Sequence, residues 1–245
     1  MRLLLANANT TEAMTQLCAQ AARAVAAPGT EVVPATPRFG PAVISTRVED
    51  AIATHGLLDL LAGHAGQVDA VVLAVSLDTA LEAARQLMPC PVVGMTEAAC
   101  FTACLSGGRF GLVTVGGVES YRERIARHGL NERLAGLRGV AASAQDAMRD
   151  PEAVAALLLP EVEALAAAGA DSVILGGAAM AGMAAWLQPR TAVPLLDGIA
   201  CAVKLAEALV ALKLPRPGQG SFAAPQGRAS LGLGAPLAAL LRGGA

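Results

Sequence analysis

Asp69-Ala70-Val71-Val72-Leu73-Ala74-Val75-Ser76 and Asp171-Ser172-Val173-Ile174-Leu175-Gly176-Gly177-Ala178 read as two versions of one segment, 102 residues apart. Each is a strand-length apolar run that opens on an aspartate and ends in small or polar residues. A run apolar at every position, not at alternate ones, suits a strand covered on both faces, as in a parallel sheet between helices. The next elements are shared too: an alanine-rich helical stretch, then Pro91-Val92-Val93 or Pro194-Leu195-Leu196, then another helix. Across the unit the offset drifts by one residue, which favours duplication over chance.

Outward from these segments, strand and helix signals alternate. Arg2–Ala6 reads as a strand, Thr10 and Thr11 open a helix to about Ala26, and Thr30–Pro34 is a second strand. A loop over Arg38–Thr46, broken by proline and glycine, leads to a helix over Val48–Ala65. Strand Val68–Val75, helix Thr79–Leu87 and strand Pro91–Met95 complete the first half. The second half repeats the order with strand Phe110–Val115, helix Tyr121–His128, a weak strand at Gly139–Ala142 and a long helix over Asp150–Ala168 that contains Pro160. The expectation is an α/β fold of two similar lobes, each with a parallel sheet, related by a pseudo-two-fold axis with a cleft between them. Residues 1–97 with 206–245 form lobe 1, and residues 98–205 form lobe 2.

Composition bounds the function. Of 245 residues 54% are hydrophobic and 16% charged, enough to bury two cores. A net charge of −2, with no basic run, gives no electrostatic reason to bind nucleic acid. The longest apolar stretches, Val71–Ser76 and Ser172–Met183, fall short of the ~20 residues of a membrane span. The N-terminus lacks the pattern of a signal peptide, so a cytoplasmic protein is expected. Cys18, Cys90, Cys100, Cys104 and Cys201 show no metal spacing, and the three histidines lie away from them; reduced core thiols are expected, with no metal.

In open parallel sheets ligands bind beyond the carboxyl ends of the strands. Those ends are Asn7–Thr11, Val75–Thr79, Thr114–Gly117 and Gly176–Ala179. They hold Asn, Ser, Thr, Asp and glycine but no histidine or lysine. Backbone N–H groups at such turns suit a carboxylate or a polarised carbonyl. Each turn on its own reads as a helix cap; four at equivalent strand ends read as a site.

These residues carry a resemblance. Asn7-Ala8-Asn9-Thr10-Thr11 resembles the opening of hydantoin and allantoin racemases, members of the aspartate/glutamate racemase superfamily. Gly40-Pro41-Ala42, Val92-Val93-Gly94 with Glu97-Ala98-Ala99, Arg109-Phe110 before Val113-Thr114, and Leu196-Asp197-Gly198 with Ala202–Leu209 add to it, as does the tail at Gly218–Ala224 and Leu233-Gly234. The likeness spans the chain. It implies two flavodoxin-like lobes, a C-terminal segment returning to the first, no cofactor, and substrate contacts from Asn7, Asn9, Thr10, Ser76, Leu77, Thr114, Val115 and Ala178. It also implies proton transfer between two thiols on opposite faces of an acidic carbon, each at the end of an equivalent strand.

At those two positions this sequence has Val75 and Gly177, neither of which can carry a proton. Val43 and Val48 stand where Ser and Tyr are expected, which makes the pocket more apolar. The remaining candidates for proton chemistry are Ser76, Asp78 and Cys100, with Glu97, Asp197 and Cys201 also near strand ends. Asp78 and Asp197 read equally as a helix cap and a turn hydrogen bond. The reading is a racemase-family protein that binds a small carboxylate or cyclic imide, with two-thiol racemisation lost. The alternatives are a silent binding homologue or partner subunit, and a cofactor-independent isomerase or lyase using another base. Alanine-rich helix surfaces leave room for a homo-oligomer.

Overall fold

The computed structural model describes residues 1–225, 227 and 229–243. In the first half, β1 (Arg2–Ala6), α1 (Glu12–Val25), β2 (Glu31–Ala35), α2 (Arg47–Ala62), β3 (Ala70–Leu73), α3 (Leu81–Leu87), β4 (Val92–Gly94) and α4 (Met95–Ser106) follow one another. The second half runs β5 (Phe110–Val115), α5 (Glu119–Arg127), β6 (Leu134–Val140), α6 (Ala144–Arg149), α7 (Pro151–Ala167), β7 (Ser172–Gly176), α8 (Met183–Leu187), β8 (Leu195–Asp197) and α9 (Gly198–Leu212). The chain ends with α10 (Ala235–Leu241), which packs on α2 of the first half through Leu237.

Two all-parallel sheets result, ordered β2-β1-β3-β4 and β6-β5-β7-β8. Their registers match: Leu3 pairs with Ala70 as Phe110 pairs with Ser172, and Leu73 pairs with Gly94 as Leu175 pairs with Asp197. Strands β3 and β7 are buried along their whole length, as their unbroken apolar runs require. The last helix of each half crosses over: α4 lies against β7 and α9 against β3. Residues at equivalent positions meet at the junction. The Ser76 hydroxyl accepts from the N–H of Ala178, and a Cβ on Gly198 would stand 2.8 Å from the carbonyl oxygen of its counterpart, Met95. A pseudo-two-fold axis passes through both contacts.

Three local readings differ from the sequence expectation. The edge strand β6 spans Leu134–Val140, not 139–142, because Gly136 is strand and not turn: a Cβ there would come within 2.9 Å of Leu165 on α7. A short α6 precedes α7, opened by Ser143 and Asp146, which bond reciprocally to each other's backbone. After β7 the chain makes a single turn of 3₁₀ helix at Ala178–Met180 and only then the five-residue α8. Pro160 is held inside α7 on its exposed side. No helix among the described residues is long and apolar enough to cross a membrane.

Candidate functional site

The carboxyl ends of both sheets meet at the axis, and the four turns named from the sequence converge there. Strands β1 and β5 each carry a buried polar residue at the carboxyl end, Asn7 just after β1 and Thr114 in β5. Both are committed to local structure. The Asn7 amide donates to Asn9 Oδ1 (2.9 Å) and Thr15 Oγ1 (3.0 Å), and its oxygen accepts from Asn9 N–H. The Thr114 hydroxyl donates to the Gly176 carbonyl. Thr10 N–H donates to Pro41, and Thr11 to the Ala42 carbonyl, so the 38–46 loop is pinned over this turn. Val43 and Val48 are exposed on that loop and the start of α2. Arg47 beside them reaches across the seam to Glu123 on α5.

At the two expected thiol positions Val75 is buried and Gly177 takes φ +147°, a conformation that side chains rarely adopt. The glycine therefore commits the backbone and does more than leave a gap. A Cβ built there would lie 3.1 Å from the Met180 methyl and about 4 Å from both Thr114 Oγ1 and Tyr121 Oη. Beyond each position the turn presents backbone donors. The N–H groups of Ser76, Leu77 and Ala179 meet no acceptor among the described residues, and that of Ala178 is held by Ser76 Oγ at 3.0 Å. Val115, half-buried, follows Thr114 as the last residue of β5.

The ionisable candidates are committed to the fold. Both oxygens of Asp78 turn to the start of α4, accepting from Thr96 N–H (3.0 Å) and Glu97 N–H (2.8 Å). Burial pushes this carboxyl up to about 7, against the pull of those two bonds and of Arg124. Asp197 caps α9 through Ile199 N–H and Ala200 N–H. Glu97 is paired bidentately with Arg85. Cys100 is buried in α4, and burial pushes its thiol up; the same cause lifts Cys201 to about 11 and Cys18 to about 12. Thiols so placed hold their protons at neutral pH and are poor bases. Among the described residues no group of three or more His, Cys, Asp or Glu side chains is placed to hold a metal ion.

One residue was missed. Tyr121 on α5 sends its buried hydroxyl back to the axis, 3.5 Å from Thr114 Oγ1 and beside Ser76. Burial raises its pKa, so it stays a donor. The signal available in the sequence was slight: it is the chain's single tyrosine, six residues past the end of β5.

The sequence and the paired sheets match known proteins. Residues 3–206 match the family model described as Asp/Glu/Hydantoin racemase. The chain belongs to the Asp/Glu/hydantoin racemase family. A hydantoin racemase of Pseudomonas sp. (strain NS671) is 33% identical over 216 residues, covering 86% of this chain and 87% of that protein. Allantoin racemase from Klebsiella pneumoniae superposes with a TM-score of 0.89 at 35% identity, covering 95% of this chain and 96% of that one. Allantoin racemase from Pseudomonas fluorescens gives 0.90 at 34% identity, with 95% and 100% covered.

Proposed function

We propose that this racemase-family chain binds a small carboxylate or cyclic imide between its lobes and does not invert it by proton exchange between two thiols. The single observation that carries the reading is the pair Val75 and Gly177 at equivalent strand ends, one an apolar branch and the other without a side chain. Binding needs less than inversion does. The unpartnered N–H groups of Ser76, Leu77 and Ala179 are suited to a carboxylate or imide oxygen, and Tyr121 can add a phenolic donor. Inversion needs a base on one face and an acid on the other, and Asp78, Cys100 and Cys201 are turned or buried away from both.

The test uses an enantiopure 5-substituted hydantoin in deuterated buffer, following the α-proton by NMR. The expected result is no exchange above the buffer rate, together with a rise in melting temperature. At about 100 times its Kd a ligand adds roughly 2.7 kcal/mol, which is about 5 to 10 °C for a chain of this size. Exchange that survives in the wild type and disappears in Cys100→Ala or Asp78→Asn would sink the proposal and name the base.

A second reading is an isomerase or lyase that uses a different proton donor, and Tyr121 is the observation in its favour. Its hydroxyl stands beside the Gly177 position, where a proton could be delivered to one face only. Exchange lost in Tyr121→Phe but kept in Asp78→Asn would select this reading.

A further inference from the structure

The pseudo-two-fold axis relates two seams between the lobes. In one, α5 faces the 76–80 turn and α3; in the other, α1 faces the 178–182 turn and α8. The first seam is closed by Arg124. Its side chain is 10% exposed, donates to the Leu77 carbonyl, and pairs with Glu82 at 3.2 Å.

The second seam has lost every part of that plug. The match of Leu3 with Phe110 and of Glu12 with Glu119, each first in its helix, places Leu17 where the other seam has Arg124. The match of Ala70 with Ser172 places Ala179 for Leu77 and Ala184 for Glu82. What remains is a groove of about 580 Å³, within the range of small-molecule sites. Leu17, Met148, Met183 and Trp186 give it an apolar wall, and Arg23 stands at one end. No acidic side chain lines it, and Arg23 has no ion-pair partner among the described residues. The Ala179 carbonyl, counterpart of the one that Arg124 satisfies, receives no donor among the described residues.

An acceptor without a donor, a guanidinium without an anion and an apolar wall thus share one groove. We propose that it binds a free amino acid with an apolar side chain. The ammonium takes the place of the missing guanidinium on the Ala179 carbonyl, the carboxylate pairs with Arg23, and the side chain lies against Leu17, Met183 and Trp186. The groove meets the proposed cleft at Ala179, whose N–H faces one ligand and whose carbonyl the other, but Leu17, Arg23 and Trp186 belong to the groove, and its test reads them.

Trp186 is the chain's one tryptophan, so its emission reports on this groove. Titration with L-phenylalanine, with selective excitation of the indole, is expected to give a saturable change. Phenylalanine amide and 3-phenylpropionate, each lacking one charged group, are expected to bind at least about tenfold more weakly. Arg23→Ala, at an exposed position, should weaken phenylalanine by about tenfold as well. Leu17→Arg, which copies the closed seam, should abolish the response while circular dichroism stays that of the wild type. Tyr121→Phe, on α5 and remote from the groove lining, should leave the titration unchanged. The proposal fails if phenylalanine gives no saturable change, if the amide binds as well as the acid, if Arg23→Ala binds like the wild type, or if Tyr121→Phe removes the signal.

Discussion

The two lobes solve one electrostatic problem from opposite sides. Each needs a carboxylate at the N-terminus of the helix after its last strand. In the first lobe it comes from the turn after β3, where Asp78 reaches up to Thr96 and Glu97. In the second it comes from the end of β8, where Asp197 caps α9 and also reaches back to Gly182 in the turn. The register makes Gly94 the counterpart of Asp197, and a Cβ on Gly94 would meet the Asp78 carboxyl carbon at 2.4 Å. The acid has changed places: it stands on the turn in the first lobe, where the second has Met180, and at the strand end in the second, where the first has Gly94. What persists between the two halves is a side-chain carboxyl that accepts the first free N–H groups of the helix, from whichever segment tethers it.

The sharpest way to break this comparison is to force both arrangements into one lobe. Gly94→Asp drives a side chain into Asp78 and should cost about 3 kcal/mol or prevent folding. Adding Asp78→Ala should recover a large part of that loss; denaturant unfolding of the singles and the double reads the coupling, and strictly additive costs would contradict the exchange of places.

A second probe is pH. Burial lifts the folded-state value of Asp78 from 3.8 to about 7, so its ionisation works against folding. The favourable contribution is complete below the unfolded value and is lost as pH rises to about 7. Asn at this position does not titrate. The melting temperature of the wild type minus that of Asp78→Asn should therefore be larger at pH 5 than at pH 8, and a difference that grows with pH would reverse the assignment.

Smaller effects test the two thiol positions. Gly177→Cys must hold a side chain at φ +147° and should lose about 1–3 kcal/mol, whereas Val75→Cys, with ordinary backbone, should lose less. Equal losses in thermal melts would show that the backbone at 177 relaxes freely. The smallest change concerns the start of α3 and α8, where Ala80 and Gly182 share the left-handed conformation at φ 60° and 84°. Ala80→Gly should raise stability by about 1 kcal/mol, and Gly182→Ala should lower it by a similar amount.

Much of this architecture was legible. The runs at 69–76 and 171–178 gave both central strands and the repeat, because burial on two faces leaves an unbroken apolar signature. Strand β6 was misplaced because glycine reads as a turn unless one knows that Leu165 needs the room. The site was legible as a set of turns. What each side chain does there was not, because Asn7, Thr114 and Asp78 could equally face a ligand or their own backbone, and sequence spacing does not fix rotamers. From one face of α5 Tyr121 reaches the axis and Arg124 the seam beside it, through contacts that no local motif announces.

The bond between Ser76 and Ala178 sits where the symmetry operation leaves atoms nearly unmoved. The rim bridge between Arg47 and Glu123, with Arg47 open to water, has no such shelter. Added salt should therefore screen the rim bridge first and leave the contact at the axis as it is.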